Sequence, residues 1–374
     1  MRNTKILILI LFSCFVSAAW PQAQPQWKHK IITFDAPGAG TGAGQGTIPY
    51  GLNPWGAAIG WYLDTNNVNH GFVRYPWGTI TTIDAPGAGT GAGQGTVAYG
   101  MNIWGVIVGA SIDGGGVWHG FVRDPWGTIT TYDAPGAGTG FYDGTWYSNI
   151  NDWGEIAGGY ADSANVMWAF VLTPDGHYTP YEAPGAGTGG NFQGTDVGTM
   201  SGLNPEGMTT GWYIDGNNCS HGYLRYTNGD VATFDGSKAA CTNTGLGFSG
   251  TVSVSLNPEG EAVGFYADAN GVDHGFLRAP DGKITTFDAP GAGKGAGQGT
   301  VILSNNSAGA ITGWYWDANS LAHGYEHTPH GKTTGFDVPG ASQGTYPNCN
   351  NAAGVVAGNY VDANGANHGF LRMP

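Results

Sequence analysis

One phrase returns through almost the whole chain. Phe34-Asp35-Ala36-Pro37-Gly38-Ala39-Gly40 recurs with its acid at Asp84, Asp133, Glu182, Asp235, Asp288 and Asp337, at spacings of 49, 49, 49, 53, 53 and 49 residues. A period this long, kept through seven copies, means that each unit is one supersecondary element burying its apolar face on its neighbours. The 68 Gly and 20 Pro exclude a mainly helical solution, because neither residue is tolerated in helix interiors. With 41% hydrophobic residues there is ample surface to bury, which excludes disorder in favour of a turn-rich all-β fold.

Turn chemistry divides the first unit into four short strands. Thr47–Asn53 ends at Asn53-Pro54-Trp55-Gly56, and Ala57–Asp64 ends in a polar Asp/Asn turn. His70–Tyr75 runs to Pro76-Trp77-Gly78, Thr79–Asp84 follows, and the Gly-rich link Ala85–Gly95 leads into the next unit. Four antiparallel strands per repeat predict the blade of a β-propeller. The repeats begin with a fourth strand (Ile31–Asp35) and finish with a third (His368–Arg372), so the expected fold is a seven-bladed propeller whose N-terminal strand completes the last blade. The Gly-rich links do not read as phosphate loops: each leads into a strand, and the phosphate site of such a loop needs a helix N-terminus.

The frame Gly264-Phe265-Tyr266-Ala267-Asp268-Ala269-Asn270-Gly271-Val272-Asp273-His274-Gly275-Phe276-Leu277-Arg278 resembles the HAF-type extracellular repeat proteins of bacteria, named for a His-Ala-Phe core. Most units here carry His-Gly-Phe or His-Gly-Tyr, and the third carries Trp168-Ala169-Phe170. The resemblance implies export and a propeller-like fold, and it implies no settled activity or catalytic residues.

Residues 1–19 read as a signal peptide: Arg2 and Lys5, the apolar run Ile6–Val16, then Ser17-Ala18-Ala19. A short lead, 20–30, precedes a single repeat domain, 31–374. The expected location is secreted or periplasmic. Lipoprotein anchoring at Cys14 is the lesser alternative, because Phe12 is bulky for a lipoprotein box. No later stretch is apolar enough to span a membrane. The net charge of -14 argues against nucleic acid and favours neutral ligands or cations. Of the three remaining cysteines, Cys219 and Cys241 fall on one face of the fourth unit and are expected to pair, leaving Cys349 free.

Acids end the second and fourth strands of every unit. Capping of their own turns is the plainer reading, and Ca²⁺ at turns such as those of Asp64, Asp113, Asp268 and Asp362 is the sharper one. Asp and His recur six residues apart in six units, as in Asp64 and His70. A catalytic pair is needed once, so the repetition favours a pinned turn. The recurrent Arg74, Arg123, Arg225, Arg278 and Arg372 read likewise as structural partners.

Breaks in the repeat are more informative, since a ring of identical units has no distinctive site. The link entering the third unit carries Phe141, Tyr142, Asp143 and Trp146, and the link entering the fourth carries Asn191, Phe192 and Asp196. The link entering the fifth is lengthened and holds Lys238 and Cys241, and Trp168 replaces the third unit's His. Phe141, Tyr142, Asp143, Trp146, Trp168, Asn191 and Phe192 are therefore the expected ligand site. On the opposite face, Trp55, Trp77, Trp104, Trp126 and Trp153 stand at turn tips of the first three units only, as a second aromatic surface or as local packing.

These features favour a monomeric, non-enzymatic module binding a glycan or a protein. A structural surface or matrix protein is the first alternative, and a propeller lyase or hydrolase with a rim active site the second. No cofactor is expected beyond a possible Ca²⁺.

Overall fold

The computed structural model describes residues 30–198, 201–242 and 246–374. The leader, Cys14 and the lead up to residue 29 lie outside the described residues. Twenty-eight strands and no helix are present among the described residues. β1 (Ile31–Phe34) precedes the first unit, formed by β2 (Gly46–Leu52), β3 (Ala58–Leu63), β4 (Asn69–Arg74) and β5 (Ile80–Ile83). These four pair in order as an antiparallel meander, with Gly60 opposite Phe72 and Phe72 opposite Thr82. The pattern repeats at 95–132, 144–181, 194–234, 251–287 and 299–336. The seventh unit contains β26 (Gly344–Asn350), β27 (Val356–Val361) and β28 (Asn367–Arg372), and β1 pairs antiparallel with β28.

The fourth strand of each unit is its least buried. In the fifth unit the first strand, Thr251–Leu256, is buried throughout, whereas fourth strands such as Ile129–Tyr132 are largely exposed. The core lies between neighbouring units, where one meander packs on the next. Ile59, Val73 and Ile83 of the first unit meet Ala98, Ile107 and Phe121 of the second, and Ala58 meets Cys349 and Leu371 across the two ends of the chain.

Three devices recur at the junctions between units. The glycine that opens a first strand touches the third strand of the preceding unit in parallel register, as Gly95 with Asn69 and Gly144 with Trp118. Gly144 has φ +115°, and a Cβ there would lie 2.0 Å from the Trp118 carbonyl oxygen, so only glycine fits. A buried Asn at the first turn accepts N–H groups of that turn and, in five units, donates to the next unit's Asn carbonyl. Asn102 reaches Asn151 (3.3 Å), Asn151 reaches Asn204 (3.4 Å) and Asn351 reaches Asn53 (3.0 Å). Finally, Arg74, Arg225, Arg278 and Arg372 stack over Phe34, Tyr181, Phe234 and Phe336 of the preceding unit, at 4.8–5.1 Å.

The all-β expectation holds. Hydrogen bonding does not run unbroken around the molecule: the strands form a twenty-stranded and an eight-stranded sheet, and neither closes on itself.

Candidate functional site

Both kinds of recurrent acid meet the repeated His on one rim. His70 Nδ1 lies 2.7 Å from Asp84 Oδ1, and its Nε2 lies 3.8 Å from Asp64 Oδ2. The tight partner is thus the fourth-strand acid, fourteen residues on in five units, and the acid six residues back stands at 3.5–3.8 Å in all six units that carry the His. In the seventh unit His368 takes Asp35, the residue after β1, at 2.9 Å, across the chain ends. Burial pushes the Asp268 carboxyl up, but the N–H groups of Val272 and Asn270, the Asn270 amide and His274 outweigh it and hold it below the usual range. The hydrogen bond that His274 donates to Asp288, with the charges of both acids, raises His274 against its desolvation.

Asp64, Asp113, Asp268 and Asp362 each place Oδ1 on two N–H groups of their own turn and turn Oδ2 towards the His. They sit in four different units and are not brought together. Among the described residues no three His, Cys, Asp or Glu are grouped so as to hold a metal ion. The third unit lacks the His: Trp168 stacks on Tyr160 (6.3 Å, 9°) and donates to Asp162 (3.1 Å). Glu182, in place of the fourth-strand Asp, has Oε1 buried without a partner, and burial, with the charge of Asp162, pushes its carboxyl up.

Next to this irregular unit lies a cavity of about 250 Å³, lined by Tyr99, Trp118, Tyr142, Trp146, Phe192 and Asp196. Tyr142, Trp146 and Phe192 come together here as the sequence breaks anticipate. Phe141 packs on Tyr142 (4.2 Å between centroids), whose N–H bonds to the Gly116 carbonyl of the second unit (3.0 Å). Tyr142, Asn191 and Phe192 all have positive φ (67°, 54° and 60°), so the two links present their aromatic residues on tight left-handed corners. Phe141, Asn191, Trp168 and Asp143 do not line the cavity. Asp143 is buried in its own link, accepting the Gly140 N–H at 2.9 Å.

Asp196 is the chemical centre of the cavity. Oδ1 accepts the Trp146 indole N–H (3.0 Å) and the Val197 N–H (2.8 Å). Burial pushes the carboxyl up to about 6, against both hydrogen bonds. In register, the other units carry Ile48, Val97, Trp146, Val252, Val301 and Tyr346, so this first-strand carboxyl occurs once in the molecule. Tyr99 and Trp118 are the lining residues that the sequence reading missed. A signal existed for Trp118: it precedes His119 where other units have Asn69, Ser220, Asp273, Ala322 and Asn367. Tyr99 also borders a smaller void of about 80 Å³ near Leu52, Asn149, Leu203 and Cys349, contributed by five different units.

The opposite face keeps its tryptophans outward. Trp55, Trp77, Trp104, Trp126 and Trp153 are 59–89% exposed. Trp55 and Trp104 nevertheless donate their indole N–H to the next unit's turn, at Ile103 (3.2 Å) and Asp152 (2.9 Å), and Trp77 stacks on Tyr75. Local packing therefore fixes three of the five rings while leaving them largely exposed. Cys219 and Cys241 form a disulfide with Cα atoms 5.4 Å apart, and Cys349 is free and buried.

No family model matches the chain, and no curated protein matches it. Among solved structures it is similar to a streptogramin B lyase, with a TM-score of 0.55 and 16% identity over 92% of this chain and 98% of that one. It is also similar to virginiamycin B lyase from Staphylococcus aureus (TM-score 0.54, 14% identity, 93% and 100% covered). A catalytically inactive variant of that enzyme with quinupristin gives 0.52 and 15%, with the same coverage. At such identities the likeness shows a β-propeller-like fold and nothing of the activity.

Proposed function

We propose that this chain is an exported binding protein, built as a closed seven-bladed propeller, whose ligand site is the aromatic cavity at units two to four. Support for the closed ring comes from the pairing of β1 with β28 and from the Asn351 to Asn53 and Arg74 to Phe34 contacts across the chain ends. The observation that carries the ligand site is one buried carboxyl, Asp196, set among five aromatic side chains in a cavity of about 250 Å³. Aromatic faces take the apolar face of a sugar ring, and a carboxylate with a free oxygen accepts a pair of its hydroxyls. The net charge of -14 favours a neutral glycan over an anionic one.

A glycan array on the mature protein, followed by calorimetry, tests the reading. Binding of a neutral saccharide that Asp196→Asn and Tyr142→Ala each weaken about tenfold or more supports it. Binding that both variants leave intact sinks it. Light scattering separates the matrix-protein alternative, which requires self-association, from the monomer. Asp196 also supports a second reading: a carboxyl near 6 is poised for general acid or base work in a lyase or hydrolase. Turnover of a bound saccharide that Asp196→Asn abolishes without loss of affinity would favour that enzyme.

A further inference from the structure

Five units share a staple that the third lacks. In the first, Gln45 in the entering link accepts the Gly42 N–H through Oε1 (3.0 Å), while Nε2 donates to the Thr65 carbonyl (3.2 Å) and to Asn67 Oδ1 (3.1 Å). Gln94, Gln298 and Gln343 reach the equivalent carbonyls of Gly114, Ala318 and Ala363, at 3.1, 3.1 and 3.3 Å. Gln298 also reaches Ser320 Oγ, and Gln193 reaches Asn218 Oδ1 (3.0 Å). The amide thus ties these five links to the turn between the second and third strands of their own units.

In the third unit this position is Asp143. Its Oδ2 accepts the Gly140 N–H at 2.9 Å, as the glutamine Oε1 does elsewhere. The remaining oxygen, Oδ1, therefore stands on the side from which Nε2 donates in the other units. The acceptors that such a donor serves are, in register, the Ser163 carbonyl and the Asn165 side chain, and Asn165 keeps the left-handed backbone of Asn67 (φ 58° against 60°). Asp143 is 4% exposed, and Oδ1 is buried without a hydrogen-bond partner. A donor has been exchanged for an acceptor at a position whose register partners in the other units are acceptors, and a buried carboxylate oxygen left in that way is relieved by positive charge beside it.

We propose that this corner binds a cation, Ca²⁺, through Asp143 Oδ1, the Ser163 carbonyl and Asn165 Oδ1, with water completing its shell. The donor set is all oxygen, which disfavours transition metals, and it is irregular and mixed with water, which suits Ca²⁺ better than Mg²⁺. With a single carboxylate the affinity belongs to the weak extracellular range, about 10⁻⁴ to 10⁻³ M. The site differs from the turn acids Asp64, Asp113, Asp268 and Asp362, whose oxygens are taken by their own turns. It sits one residue from Tyr142, and the Asp143 carbonyl accepts the Trp118 N–H at 2.9 Å, so the ion braces a wall of the cavity. The metal site stands whether or not the cavity binds a glycan.

The test is calorimetric titration of chelator-stripped mature protein with CaCl2, together with thermal melts. One site per chain is expected, with a melting temperature raised by about 2–5 °C at roughly 10 mM Ca²⁺. Asp143→Gln, which installs the amide of the other units, should abolish both the heat and the shift. Asp143→Asn serves the same purpose if the Gln variant does not fold. Absence of any calcium response in the wild type overturns the proposal, as does an equal response to KCl at matched ionic strength. A response that survives both Asp143 variants and is lost in Asp113→Asn places the ion on the turn acids and overturns it equally.

Discussion

The first and third units share one backbone plan and differ in what they place on it. In the first, His70 lies between Asp84 and Asp64, Gln45 ties link to turn, and Ile48 stands on the first strand. In the third, the same positions hold Trp168 between Glu182 and Asp162, Asp143 in the link, and Trp146 on the strand, bonded to Asp196 of the next unit. Two of the substituted acids keep a buried oxygen without a partner. The lesson is that the glycine contacts and asparagine bonds hold the units together, which leaves the rim free to depart from self-sufficiency in one place.

If the framework is common to both regions, damage to it should be equally severe in either. Gly144→Ala and Gly95→Ala each drive a Cβ into the preceding strand at positive φ, and each should cost about 4 kcal/mol or more in chemical denaturation. A large difference between them would mean that the third unit is built on different terms. Next in size, Asn351→Ala removes the bond to Asn53 and leaves the N–H groups of Ala353 and Val355 without their acceptor. A loss of about 2–4 kcal/mol is expected, read as a lowered denaturation midpoint.

Asp196 sharpens the comparison through pH. Its folded value, about 6, lies above the ordinary carboxyl value of 3.8, so its neutral form is the one folding favours. The stability it permits is complete below about pH 4 and is lost as pH rises through 6, by order of 2–3 kcal/mol. Asp196→Asn should therefore be more stable than wild type at pH 8 and no more stable at pH 4, as measured by denaturation at both. The smallest effect comes from restoring the relay with Trp168→His and Glu182→Asp together. A His raised by two acids, as His274 is, adds stability below its unfolded value and loses it as pH rises through its folded one. A gain of less than about 1 kcal/mol at pH 5, absent at pH 8, is expected for such a half-exposed cluster.

The repeat, its four strands and the structural role of the arginines were legible because each depends on local turn chemistry or on a period that seven copies make plain. Tyr142, Trp146 and Phe192 were legible as departures from the repeat. Trp118 was legible in the same way, though the sequence reading passed over it, whereas Tyr99 was not, because it reaches the cavity only through the way units pack. The His pairing was half legible: six residues bring Asp64 near His70 across a hairpin, whereas Asp84 becomes the tighter partner through the register of the third and fourth strands.

Sequence alone determined the number and order of the repeated units and the residues where their pattern breaks, since periodicity and turn-forming residues act over a few positions. Tertiary structure decided that Trp146 and Asp196, fifty residues apart, share a hydrogen bond inside a cavity, and that the acid after β1 serves the last His of the chain. Those contacts depend on how neighbouring meanders stack, and burial, which sets the chemistry of Asp196, exists only once they have done so.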